Sequence, residues 1–427
     1  ILGDLLQQCY NIADTLIVGR FLGANALAAV GSAFSLMTFL TSIILGLAMG
    51  SGTVFSIRFG EKDEVGLKEG ILASFFLLGI VTILLNIAIF AGIDGIIWFL
   101  RTPAELKVMM KDYLMVIFAG MIGIFLYNFF ASLLRSLGNS VIPLVFLAVS
   151  SCLNNVLDLI FVPVLHRGVA GAAEATVISQ YVSGIGITIY TCVKFPELLR
   201  RDENVKLRLN RVREITSFSA LTCLQQSIMN LGILAVQGLV NSFGTTVMAA
   251  FAAAVKIDAF AYLPVQDFGN AFSIFVAQNF GAKQTDRIKQ GIRTAFITSA
   301  TFSLVISLCV FIFARPLMSL FIDAGETAVI AEGARYLRIE GSFYFMIGML
   351  FLLYGLYRAL GRPGMSVVLT LVSLGIRVIL AYALSAVPSI GVVGIWWSVP
   401  IGWFLADTLG IVYYLLLKKK LLQIAKG

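Results

Sequence analysis

The chain has 427 residues, of which 59% are hydrophobic and 13% charged, with a formal net charge of +8. That balance excludes an ordinary soluble domain, whose surface needs far more charge, and repeated uncharged runs of about 20 residues match the thickness of a bilayer core. The basic excess does not gather into a patch suited to nucleic acid; it falls on alternate loops, where it reads as a topology signal.

In chain order the hydropathy pattern predicts twelve membrane spans with cores near 1–24, 31–58, 69–94, 109–135, 140–164, 169–194, 214–240, 246–279, 287–314, 333–358, 363–387 and 391–417. Only helices carry their backbone hydrogen bonds through lipid without partners, so the expected fold is an all-α polytopic membrane protein. The sequence begins at Ile1, so a short N-terminal piece is expected to be missing, and no cleavable signal is visible. Lys and Arg concentrate in the loops after the even-numbered spans and at the C-terminus, which predicts both termini in the cytoplasm. The longest polar stretch, Phe195–Glu214 (FPELLRRDENVKLRLNRVRE), sits near the midpoint. We read lobes at 1–194 and 214–427 joined by a cytoplasmic linker at 195–213.

The halves repeat. FGEKDEVGLKEGI at Phe59–Ile71 matches FGAKQTDRIKQGI at Phe280–Ile292 at a shift of 221; LLRSLGN at Leu133–Asn139 matches LYRALGR at Leu356–Arg362, and GVAG at Gly168–Gly171 matches GVVG at Gly391–Gly394, both at a shift of 223. Gln7–Gln8 recurs as Gln225–Gln226. In FG-x-K and R-x-LG we expect glycine to close each helix in the left-handed conformation. Six spans per copy insert in the same orientation, giving parallel repeats about an axis along the membrane normal, a transporter pattern.

Ionisable groups inside apolar spans are costly and mark candidate sites. The first is Asp14, in QQCYNIADTLIVGRFLGANALAAVG. Span 5 holds Asn154 and Asp158, four residues apart and so on one helix face; span 6 places Thr176 a short way in. If spans 1, 5 and 6 are neighbours, these four offer hard oxygen ligands for Na⁺, or a pair of carboxylates sharing a proton. The same groups also read as a polar network stapling three helices. Asymmetry favours the ion site: at the repeat shifts Asn154, Asp158 and Asp14 fall on Arg377, Ala381 and Gly232.

In the second half, Asp258 and Asp267 are candidates to line a substrate cavity, or Lys256 neutralises one of them. Arg377 requires a buried acidic partner. Asp407 reads equally as a cavity group or an internal anchor. Tyr127, Tyr262, Tyr344 and Tyr354 are candidates for an aromatic cavity wall that would hold organic cations. Pro264 and Pro400 are the expected kinks. The single histidine, His166, falls in a loop, and neither H-E-x-x-H, G-x-S-x-G nor a P-loop occurs, so no enzyme motif is present. The five cysteines read as small packing residues without a CxxC pair.

Taken together, the QQ…VG stretch, the FGEKD/FGAKQ pair, LLRSLGN, LNNVLDLIFVP and GVAGAAEATVISQ resemble the multidrug and toxic compound extrusion (MATE) family, in its DinF- and MepA-like bacterial branch. The resemblance covers essentially the whole chain. It implies twelve helices in two six-helix lobes, efflux of amphipathic or cationic drugs in exchange for Na⁺ or H⁺, no cofactor, a multi-pass protein of the inner (plasma) membrane, and a monomer. It also implies a coupling site, sodium or proton, on Asp14, Asn154, Asp158 and Thr176. Glu174 departs from the pattern, where an apolar residue is usual, and is expected to add a carboxylate near the site or face a polar crevice. A flippase for a lipid-linked saccharide is the alternative of related architecture; the few basic residues within the spans argue against it.

Overall fold

A computed structural model describes residues 2–99, 107–199, 205, 208–323 and 325–423; the side chains of residues 2–16, Asp14 among them, lie outside that description. Fourteen helices follow in order: α1 Leu2–Glu61, α2 Glu64–Phe99, α3 Lys107–Ala119, α4 Met121–Ser136, α5 Val141–Phe161, α6 Gly168–Lys194, α7 Pro196–Leu199, α8 Leu209–Asn241, α9 Thr245–Gly281, α10 Thr285–Met318, α11 Thr327–Gly341, α12 Tyr344–Ala359, α13 Pro363–Ser385 and α14 Val392–Gln423. Among the described residues, nine of these hold a stretch long and apolar enough to span a bilayer, and up to eleven spans result when the bent pairs α3–α4 and α11–α12 each count as one. The chain is an all-α polytopic membrane protein.

Spans 1 and 2 of the sequence reading run on as one helix, α1. The stretch between them, Ala24–Val30, is alanine-rich and has no proline, so nothing there interrupts the hydrogen-bond ladder. Spans 4 and 10 are each broken instead, by bends of 41° and 50°. Helices α9 and α14 continue through Pro264 and Pro400. The non-helical dihedral lies in α10 at Phe313, three residues before Pro316, where the ring crowds the preceding turn.

Two helices show how the surface is built. On α2 the exposed side chains include Phe76, Ile80, Ile83, Leu84 and Ile87; on α10 they include Leu304, Val305, Leu308, Phe311 and Ile312, while Ser299, Ser303 and Ser307 are buried. Apolar outside and hydroxyl inside inverts the soluble pattern and suits lipid as the solvent.

The repeat is visible in the backbone. Left-handed residues recur in pairs at the sequence shifts: Lys62 and Lys283 (φ 58° and 57°), Gly138 and Gly361 (88° and 76°), Gly168 and Gly391 (63° and 55°). In R-x-LG the glycine takes this conformation, as expected. In FG-x-K the lysine takes it, because the hydrogen-bonded helix runs past the glycine and turns only at Lys62 and Lys283. The two bends recur as well, at Gly120 and Phe343.

The chain divides into two compact units. One comprises Leu2–Phe59 with Asp63–Cys223; the other comprises Leu224–Gly427 with Gly60–Lys62. In the first unit small residues let helices touch: a Cβ at Gly46 would lie 2.6 Å from the Cys223 backbone, and one at Gly50 would lie 2.5 Å from Phe218 O. Ser51 and Ser219 share a buried hydrogen bond of 2.9 Å beside that contact. At the end of α1, Arg58 grips Glu214 with Nη2 (2.5 and 2.7 Å), Arg211 reaches Asp63 (3.0 Å), and Arg208 and Arg211 flank the buried Glu69 (3.2 and 3.6 Å). This network ties the start of α8 to the end of α1 at Arg58 and to Asp63 and Glu69.

Candidate functional site

Helix α5 places Asn154 and Asp158 one turn apart on its inner face, 1% and 0% exposed. Thr176 arrives from α6, which α5 meets through Ser150 Oγ donating to Ser179 O at 2.9 Å. The Asn154 amide satisfies its neighbours in one orientation: its nitrogen donates to Asp158 Oδ2 at 2.9 Å, and its oxygen accepts the Thr176 backbone N–H at 3.1 Å and lies 3.2 Å from the Thr176 hydroxyl. Three of the four residues expected at the coupling site therefore meet in one buried group. The fourth, Asp14, lies on α1 with its side chain outside the described residues. A carboxylate so far from water is stable only when paired, hydrogen-bonded or protonated, so its charge state and its packing are bound together.

Glu174 is not part of this group. It lies near the start of α6 and pairs with Arg167. Tyr127 is half-buried and donates to Pro143 O at 3.0 Å, which joins α4 to α5.

The second unit holds a different polar cluster. Asp258 on α9 is buried and accepts hydrogen bonds from Tyr336 Oη on α11 (Oδ2, 2.6 Å) and from Tyr344 Oη on α12 (Oδ1). The charge of Arg377 on α13 acts on Asp258 and on Glu340 of α11, and all three charges act on Tyr262. Asp258 and Glu340 are the buried acids whose charge Arg377 acts on, without an ion pair within 4 Å to either. Lys256 is exposed and does not neutralise Asp258: residues two apart on a helix point to different sides. Asp267 lies half-buried on α9, about 13 Å further along the axis at the helical rise of 1.5 Å per residue. Sequence reading missed Tyr336 and the closeness of Glu340 to Asp258. The available signal was the four-residue spacing of Tyr336 and Glu340, which puts both on one face of α11. Asp407, on α14, is buried with Oδ1 unpartnered. Among the described residues no group of three or more His, Cys, Asp or Glu side chains is arranged to hold a metal ion.

The MatE family profile matches residues 1–160 and 222–383. "Probable multidrug resistance protein YpnP" of Bacillus subtilis (strain 168) is 30% identical over 422 residues, covering 97% of this chain and 92% of that protein. "Probable multidrug resistance protein YoeA" of the same organism is 29% identical over 436 residues, covering 98% and 92%. A crystal structure of MATE in the bent conformation matches the fold with a TM-score of 0.90 at 22% identity, over 100% of this chain and 94% of that one.

Proposed function

The chain belongs to the MatE family, the multidrug and toxic compound extrusion transporters that its motifs resemble, and from that membership we propose that it exports small amphipathic or cationic compounds in exchange for Na⁺ or H⁺. The observation that carries this reading is the buried Asn154–Asp158–Thr176 group on α5 and α6. Asp158 is the group whose charge a bound Na⁺ would balance or a bound H⁺ would neutralise. With the cation absent, the carboxylate is stabilised by the Asn154 amide; with it bound, the carboxylate charge is balanced and the amide is free to turn. Occupancy thus alters the contact between α5 and α6, and a change in contact is what lets a bound ion shift a conformational equilibrium. Asp14 on α1 joins this group in the proposal. Two further parts of the reading are the lobes at 1–194 and 214–427 and a plasma-membrane location with both termini cytoplasmic. The alternate placing of Lys and Arg supports that orientation, as does the ion-pair network that brings Arg58 of α1, Asp63 and the start of α8 together within the first unit.

The test is dye uptake into everted membrane vesicles under a Na⁺ gradient and, separately, under a H⁺ gradient. The wild-type protein is expected to accumulate dye under one of them, and Asp14→Asn and Asp158→Asn to lose that accumulation while still inserting. Passive equilibration of dye in the wild type, or undiminished accumulation in both variants, would refute the reading.

A further inference from the structure

In the second unit the indole of Trp396, on α14, is fully buried. It stacks on Phe251 of α9, with ring centroids 5.6 Å apart and planes 10° apart, and meets the edge of Tyr336 of α11 at 4.8 Å. Its N–H donates to Glu332 Oε1 at 2.8 Å, and Glu332 pairs with Arg335 at 3.5 Å. One aromatic side chain with a polar tip thus locks three helices together. The first unit lacks the residues of this lock. At the repeat shifts Trp396 falls on Ala173, Phe251 on Val30, Glu332 on Met109 and Arg335 on Asp112; only Tyr336 keeps its residue, as Tyr113. Leu22, Ala26 and Ala170 likewise stand where the second unit has Phe243, Val247 and Val393. One backbone path lined by smaller side chains leaves space unfilled. A cavity of about 280 Å³ opens at this end of the first unit, between Leu22 and Ala26 of α1, Met109 and Asp112 of α3, and Arg167–Ala170 at the start of α6.

The walls of the cavity are apolar except at two side chains. Arg167 pairs with Glu174 and lies over the Phe161 ring, so its charge is already answered. Asp112 is exposed, and among the described residues no base pairs with it: the neighbouring Lys111 is held by Asp94, and Arg167 by Glu174. The second unit sets Arg335 beside Glu332, whereas the first sets Asp112 beside Met109, an acid next to a thioether. The cavity therefore offers an apolar space and one unanswered negative charge, which together complement an organic cation. Its volume falls just below the range of about 300–1,000 Å³ usual for drug-sized ligands, so it suits a small ring system. The second unit shows which kind of ring packs at this end of the fold, since an indole fills the equivalent place.

We propose that this cavity is a binding site for small aromatic ammonium ions, in which the ring takes up the space that side chains fill in the second unit and the ammonium rests against Asp112. Met109 supplies a polarisable wall suited to an aromatic edge. Residues 22–26 and the starts of α3 and α6 belong to the loops after odd-numbered spans, so the ligand meets the site from the extracytoplasmic side. That sidedness rests on the orientation proposed above; the binding itself uses none of the residues of the Asn154–Asp158–Thr176 group.

Equilibrium dialysis of radiolabelled tryptamine, an indole that carries an ammonium, against the purified protein in lipid nanodiscs tests the proposal. Saturable binding is expected in the wild type, in Asp14→Asn and in Asp158→Asn. Asp112→Asn is expected to weaken it about fivefold, the upper range for an exposed ion pair. Ala26→Val/Ala170→Val, which restores the bulk found in the second unit, is expected to abolish it. Indole-3-acetate, with a similar ring and the opposite charge, is expected not to compete. Asp112→Asn alters a surface group and keeps the test decisive if the double variant fails to fold. Absence of saturable binding in the wild type, or wild-type affinity in Asp112→Asn, overturns the proposal. Binding lost in Asp158→Asn and unchanged in Asp112→Asn also overturns it, because the probe would then sit at the buried group. Dialysis needs no gradient, so its failure leaves driven uptake as the separate test of export.

Discussion

The two units share one scaffold and disagree at the buried carboxylates and at the partners set around them. At the repeat shift of 223, Asn154 of α5 falls on Arg377 of α13, and Asp158 falls on Ala381. In the other direction, Glu340 and Tyr344, on either side of the α11–α12 bend, fall on Ile117 and Met121, both buried and apolar. Gly184 of α6 falls on Asp407 of α14. Turns, bends and left-handed residues recur, because both copies need the same backbone path. The buried carboxylates do not. Helix packing tolerates either an apolar residue or a satisfied polar one at the same place, so each copy has been free to acquire its own chemistry. The first unit holds a small group, one carboxylate with an amide and a hydroxyl; the second holds a larger one with a fixed positive charge.

That difference is sharpest at the Asn154/Arg377 position. Arg377→Met would leave Asp258 and Glu340 buried without a counter-charge, and losing one partner of a buried ionic cluster costs about 3–5 kcal/mol. A large fall in the thermal midpoint of the detergent-solubilised protein is expected, with partial recovery in Arg377→Met/Asp258→Asn. A midpoint unchanged by the single substitution would mean that the second cluster is not ionic at its centre. At the equivalent place in the first unit, Asn154→Leu removes a donor to Asp158 and an acceptor for Thr176, and leaving such a group unsatisfied costs about 1–3 kcal/mol. No double substitution should be needed to keep that variant folded. If Asn154→Leu proves the more damaging of the two, the contrast between an amide-linked group and an ionic one is wrong.

The sequence made the repeat legible because glycine, lysine and turn residues keep their spacing, and it made the Asn154–Asp158 pair legible because four residues on one helix define a face. What it hid has physical reasons. The bends at Gly120 and Phe343 carry no proline; their local signals are only Gly120 and the Gly341–Ser342 step, and glycines are common inside the unbroken helices too. Glycine in FG-x-K looked like the left-handed residue, yet the helix runs beyond it and the lysine takes that conformation. Lys256 and Asp258 looked like a pair because they are close in sequence; helical geometry sends one outward and the other into the cluster. The acids that Arg377 acts on lie 37 and 119 positions away, and no periodicity within one helix can reveal a cluster assembled from four.

Close helix approach marks a milder contrast. A Cβ at Gly184 would lie 2.5 Å from Gly123 O, so α4 and α6 are nearly in backbone contact where the second unit accommodates the Asp407 side chain. Gly184→Ala must push the helices apart, at about 1–3 kcal/mol for overpacking, and it should also weaken driven export because α6 carries Thr176. Chemical denaturation and vesicle uptake measured on the same preparation would check both. An alanine accepted without loss of stability would show that the two helices can separate freely, and the contrast with the Asp407 position would then lose its basis.

The smallest expected effect isolates packing from chemistry. Ser51 and Ser219 join α1 to α8 by one buried hydrogen bond, away from both polar clusters, beside the contacts of Gly46 and Gly50. Ser51→Ala removes that bond and leaves the Ser219 hydroxyl to find another acceptor, for which a net loss of about 1 kcal/mol is ordinary. The substitution changes no buried charge and no group that could bind a cation. A slightly lower thermal midpoint with undiminished gradient-driven uptake is therefore expected. The variant is a strict control on the comparison of the two units: if it abolished uptake as fully as Asp158→Asn, the loss in the Asp158 variant could be ascribed to disturbed helix packing, and the coupling role of the buried carboxylate would have no support from mutation.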